Sequence, residues 1–110
     1  MVKRALYVKN MNAPLAVPVT VGTTAGGTVL VAANPARLSI TLQNVGTEAC
    51  ILRLGGNPTN AAYNMVLAAD SGTRKGTGGT VTFADYQGEI KGLTEANTTI
   101  IAIIEELSTP

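Results

Sequence analysis

Arg37-Leu38-Ser39-Ile40-Thr41-Leu42-Gln43-Asn44-Val45-Gly46-Thr47-Glu48-Ala49-Cys50-Ile51-Leu52-Arg53-Leu54 alternates apolar and polar side chains on both sides of a Gly-containing connection. Successive side chains of a strand point to opposite faces, so the alternation marks two strands with one apolar face each. Two such runs joined by a short turn-rich segment predict an antiparallel hairpin, with Asn44 to Glu48 as its connection. In that register Leu42 faces Cys50, Ile40 faces Leu52 and Leu38 faces Leu54, and all apolar pairs share one face. Arg37, Ser39, Thr41 and Gln43 are then expected on the opposite, solvated face.

Outward from this stretch the same chemistry repeats in shorter pieces. Upstream, Leu15 to Val21 reads as an edge strand or extended arm, because Pro18 lacks the N–H a central strand uses. Thr23 to Gly27 is a turn, Thr28 to Ala32 a short strand, and Asn34-Pro35 a break. Downstream, Gly55 to Asn60 is a loop, Met65 to Ala68 a short strand, and Asp70 to Gly79 a long flexible loop. Thr80 to Phe83, Gly88 to Leu93 and Thr98 to Ile104 complete the strands, and Glu105 and Glu106 stand as gatekeepers after the last one. Many short strands punctuated by Gly, Pro and Asn predict an all-β fold: an antiparallel β-sandwich or small jelly-roll-like barrel. Residues 1–14 are expected to form an extended N-terminal arm, and residues 15–110 a single β-sandwich domain.

Composition narrows the function classes. The chain of 110 residues is 45% hydrophobic and only 14% charged, against about a quarter for an ordinary domain. That balance excludes disorder and leaves uncharged surface available for burial against other subunits. The net charge of +1 supplies no long-range field to recruit nucleic acid. Histidine is absent, which removes the commonest general base and the commonest transition-metal ligand. Met1-Val2-Lys3-Arg4 looks like the basic part of a signal peptide, but the apolar run Ala5 to Val8 is too short and ends at Lys9. No stretch approaches the roughly 18 apolar residues of a membrane helix. A soluble chain made in the cytoplasm is expected, with no nucleic-acid or membrane partner.

The candidate chemical sites are thin. Neither Gly22 to Gly27 nor Gly72 to Gly79 has the spacing of a phosphate-binding loop. The carboxylates Glu48, Asp70, Asp85, Glu89, Glu95, Glu105 and Glu106 are spread along loops and strand ends and form no calcium-loop pattern. Cys50 is expected inside, as a small hydrophobe with no histidine to activate it. No catalytic, metal or cofactor site is expected, and the chain is read as a non-enzyme.

The last strand carries the most pointed signal. Ile100, Ala102 and Ile104 point one way and Ile101 and Ile103 the other, so the strand is apolar on both faces. Such a strand needs cover on both faces, whereas a two-sheet sandwich supplies it on one. A loop, the N-terminal segment or a neighbouring subunit could supply the second. Ile101 and Ile103 are the expected subunit-interface residues. Val2, Lys3, Arg4, Leu6 and Tyr7 of the arm are the expected capsid or subunit contacts, by strand addition to a neighbour. A sugar platform would have to draw on Tyr7, Tyr63, Phe83 and Tyr86, of which Tyr63 and Tyr86 fall in or near loops.

Asn34-Pro35-Ala36-Arg37, the alternating residues to Leu42, Gln43-Asn44-Val45-Gly46 and the ending Leu52-Arg53-Leu54-Gly55-Gly56 together resemble a motif of tailed-phage structural proteins. Gly88-Glu89-Ile90 and the strand Ile100 to Glu105 resemble the closing part of such modules. The resemblance is to small β-sandwich virion proteins, including capsid decoration (cement) proteins. It implies a virion protein on the capsid surface that binds the assembled head shell and stabilises it, with the major capsid protein as partner. It also implies a homo-oligomer, commonly a trimer. The alternative it implies is a tail or fibre module that binds a carbohydrate or receptor.

Overall fold

The computed structural model describes residues 17–108. The expected arm, with Val2, Lys3, Arg4, Leu6 and Tyr7, lies outside the described residues. Those residues form eight strands and no helix: β1 (Val19–Val21), β2 (Thr28–Val31), β3 (Arg37–Asn44), β4 (Cys50–Leu54), β5 (Met65–Leu67), β6 (Thr80–Ala84), β7 (Ile90–Leu93) and β8 (Thr99–Leu107). They make two four-stranded sheets, β1-β8-β3-β6 (sheet A) and β2-β7-β4-β5 (sheet B). Strands pair antiparallel from the two ends of the series inward, β1 with β8, β2 with β7, β3 with β6 and β4 with β5. Pairing of β3 with β8 and of β4 with β7 completes each sheet. This is jelly-roll connectivity, so the expected all-β sandwich is what the chain forms.

The core lies between the sheets. Val21, Ile40, Leu42 and Ile101 enter it from sheet A, and Leu30, Cys50, Leu52, Leu67 and Ile90 from sheet B. Burial of one such aliphatic side chain contributes roughly 1.5–3 kcal/mol, so this set is the main source of stability. Pro18 immediately precedes β1, which pairs only with β8 and forms one edge of sheet A, as a proline there requires.

The expected hairpin does not form. β3 belongs to sheet A and β4 to sheet B, so the connection between them is an arch that crosses the sandwich. Ile40, Leu42, Cys50 and Leu52 do share one buried environment, but they meet face to face across the core rather than side by side along a ladder. Asn44 holds the arch. Its amide nitrogen donates to the carbonyls of Glu48 (2.7 Å) and Leu67 (3.1 Å). Its side-chain oxygen accepts from the Gly46 N–H (3.1 Å) and the Thr99 hydroxyl (2.7 Å). A side chain at Gly46 would collide with the Thr99 hydroxyl and lie 2.6 Å from the Ile100 nitrogen, which accounts for glycine there.

Arg37 also departs from expectation: it is 1% exposed rather than solvated. The ladder between β3 and β8 shifts register between Arg37 and Ser39, so two residues of β3 oppose one of β8. Such a bulge breaks strict alternation and turns Arg37 from the outer face into the end of the core. Asn34 sets up this turn. Its side-chain oxygen accepts from Ala36 N–H (2.9 Å) and its backbone carbonyl from Arg37 N–H (3.1 Å).

Candidate functional site

β8 presents two different faces. Ile101 is fully buried against the core and Ile103 packs on it, so the expected placement of these two at a subunit interface is corrected. Their cover is sheet B of the same molecule. The residues that face outward are those of the other parity, Ile100, Ala102 and Ile104, and Ile104 is 55% exposed. On sheet A's outer face Ile104 lies opposite Thr41, which lies opposite Thr82, and Ala102 opposite Gln43, which lies opposite Thr80. Thr41 and Thr82 join their hydroxyls at 2.8 Å. The resulting surface is uncharged as far as Glu106, whose carboxylate accepts the Ser39 hydroxyl. Glu105 and Glu106 are thus members of β8 rather than gatekeepers beyond it.

At the end of the sandwich the Arg37 guanidinium closes the core. Its Nε donates to Glu105 Oε2 at 2.7 Å, Nη1 to the carbonyls of Tyr86 (3.1 Å) and Gly88 (2.9 Å), and Nη2 to that of Ala32 (2.5 Å). Tyr86 is likewise structural: its hydroxyl donates to the Glu89 carbonyl at 2.8 Å and its ring meets Phe83 edge-on at 6.4 Å. It is therefore not free to serve as a sugar platform. Tyr63, by contrast, is 49% exposed.

The segment Asp70 to Gly79 is organised rather than simply flexible. The buried Asp70 carboxylate accepts from the N–H groups of Gly72 (3.1 Å), Lys75 (3.0 Å) and Gly76 (2.9 Å) and from the Thr77 hydroxyl (3.1 Å). Desolvation pushes its pKa up, but the hydrogen bonds outweigh it and hold the carboxyl below its ordinary value. The Asp70 N–H and Arg74 N–H donate in turn to the Gly46 and Val45 carbonyls of the arch, both at 2.8 Å. This loop therefore serves to brace the arch.

Cys50 is buried, and burial pushes its thiol up to about 11 against a weaker opposing hydrogen bond from the Leu93 backbone. A thiol held neutral in this way is inert as a nucleophile at neutral pH. Among the described residues, no three of His, Cys, Asp and Glu gather where they could hold a metal ion.

Two depressions, of about 260 Å³ and about 150 Å³, open on the sheet B side and share Asn60 and Glu95. Ile51, Val66 and Tyr63 line the smaller and Leu93 the larger. Residue chemistry alone singled out Tyr63, but not its partners, which are brought beside it from β4, β5 and the β7–β8 connection. No protein-family model, curated protein or solved structure matches this chain.

Proposed function

We propose that this chain is a structural protein of a phage virion, of the capsid decoration type, which binds the assembled head shell and stabilises it. The observation that carries the reading is the uncharged outer face of sheet A around Ile104, Ala102, Thr41 and Thr82, with Ile104 exposed. An ordinary protein surface intersperses charges of both signs, and a face without them is suited to lie against protein. The motif from Asn34 to Gly46 supports the same reading, because its Asn34, Arg37, Asn44 and Gly46 each have a specific structural task in this sandwich.

The mechanism is mass action. A subunit that binds the assembled shell and not its dissociated parts adds its binding free energy to the shell's stability. A homotrimer would bind through several sites at once and gain from effective concentration. The partner is the major capsid protein, the location the capsid surface, and the sheet A face either the trimer contact or the shell contact.

The test is to add the purified chain to empty shells of the phage that encodes it. Saturable co-sedimentation with assembled shells and a raised shell melting temperature are expected. Ile104→Lys should abolish both, or the trimer in analytical ultracentrifugation, while the folded domain survives. Absence of binding to assembled shells overturns the reading.

A further inference from the structure

The outer face of sheet B, on the far side of the sandwich from Ile104, carries an apolar band that runs across three strands. Leu93 of β7 lies opposite Ile51 of β4, and Ile51 opposite Val66 of β5. Tyr63 stands beside Ile51 and Val66, with its side chain half exposed. Over this band lie the two depressions of about 260 Å³ and about 150 Å³, joined at Asn60 and Glu95. We propose that the band is a binding site for a neutral oligosaccharide, with Tyr63 as the stacking platform and Asn60 and Glu95 as the hydrogen-bonding pair.

Three physical arguments choose this occupant. The first is shape: each depression alone is below the roughly 300 Å³ at which small-molecule sites begin, so the occupant is elongated and lies over both. The second is hydrogen bonding. β4 and β7 are paired on both sides, so over Ile51 and Leu93 the backbone groups are taken and a peptide would find no ladder there; the free edge of the sheet lies at β5, beside Val66 at the margin of the band. Polar partners must come from side chains. Asn60 offers donors and an acceptor and Glu95 offers acceptors, a set that matches adjacent sugar hydroxyls. Neither side chain is engaged in a hydrogen bond or ion pair with the described residues. The third is charge: no lysine or arginine lines either depression, so Glu95 disfavours phosphorylated or acidic sugars. The sugar's C–H face then packs on the Tyr63 ring, an amphipathic surface suited to it.

The site is independent of the capsid reading, since it lies on the opposite sheet. The experiment is an NMR titration of the isotope-labelled full chain with maltotriose, cellotriose, mannotriose and triacetylchitotriose, with sialyllactose as the acidic arm. At least one neutral trisaccharide should shift the amides of Ile51, Asn60, Tyr63, Val66 and Glu95 and leave those of β8 in place. Tyr63→Ala should weaken that binding roughly three- to tenfold, with unchanged β8 resonances as proof of the fold. Glu95→Gln should admit sialyllactose. No shift with any neutral trisaccharide up to roughly 20 mM, where a millimolar site would be filled, overturns the proposal. So do shifts that survive Tyr63→Ala. Ile104→Lys should leave saccharide binding intact, which separates failure of this site from failure of the capsid reading.

Discussion

The Arg37 guanidinium, fully buried, donates its Nε–H to Glu105 Oε2 at 2.7 Å across neighbouring strands of sheet A. The same guanidinium ties down three carbonyls from two connections, Ala32 between β2 and β3 and Tyr86 and Gly88 between β6 and β7. A buried ion pair is costly to assemble, but removing one member strands the other, and here it also strands three carbonyls. Arg37→Ala should therefore lower unfolding free energy by about 3–5 kcal/mol. Glu105→Gln keeps an acceptor oxygen near a partly exposed position and should cost about 1–2 kcal/mol. Urea unfolding of both variants checks the order. Equal losses would show that the ion pair, and not the carbonyl clamp, dominates.

The arch between β3 and β4 depends on Asn44 and Gly46. Asn44→Ala removes four hydrogen bonds from a fully buried position and should cost about 2–4 kcal/mol. Gly46→Ala forces a methyl against Thr99 and the Ile100 backbone and should cost about 1–3 kcal/mol. The double variant Gly46→Ala/Thr99→Ala, which removes the clashing hydroxyl, tests whether the shared clash is relieved only in part, because the Ile100 nitrogen stays in place. Denaturant midpoints measured at equal m-value report each effect.

The two faces of β8 make opposite demands. Ile101→Ala opens a cavity in the core and should cost about 2–4 kcal/mol. Ile104→Ala sits in solvent in the isolated chain and should stay within about 0.5 kcal/mol of the parent. A large loss at Ile104 measured at high protein concentration, absent on dilution, would place that face in a contact between copies of the chain.

Cys50 links stability to alkaline pH. Its folded value of about 11 lies above the ordinary 9.0, so the unfolded chain loses its proton first. The stabilisation is fully present below pH 9.0 and falls away as pH rises through about 11, a loss of up to about 2–3 kcal/mol. Unfolding free energies from pH 8 to 11 for the parent and Cys50→Ala should diverge accordingly. In the native chain the thiol should resist a disulfide reagent at pH 8 and react once urea is added.

Asp70 acts at the other end of the pH scale. Its folded carboxyl titrates below the ordinary 3.8, so its contribution is present above that pH and lost as pH falls through the depressed value. Asp70→Asn should flatten this acid dependence. It should also speed hydrogen exchange at Gly72, Lys75 and Gly76, whose N–H groups bind the carboxylate. Unchanged exchange at those amides would remove Asp70 from the centre of the loop.

Much of the architecture is legible without coordinates because side-chain alternation is local. Period two identified β3 and β4 and put Ile40, Leu42, Cys50 and Leu52 on inner faces, where all four lie. Pro18 marked an edge before β1, and Cys50 was placed inside, with no partner to activate it. Tyr63 was legible as an aromatic in a loop. Its groove was not, since Glu95 joins it from a connection 32 positions along the chain.

What only the tertiary structure decided is which strands are neighbours and where alternation breaks. Strands pair through backbone groups that every residue carries, so an apolar face specifies burial without naming a partner. Ile40 and Leu52 satisfy the same pattern side by side in a hairpin or stacked across a core, and the arch held by Asn44 selects the second. The register shift beside Arg37 turned an expected surface arginine into the plug of the sandwich, because a bulge is defined only against the strand it pairs with. The same dependence on pairing assigns Ile101 to the core and leaves Ile104 outside.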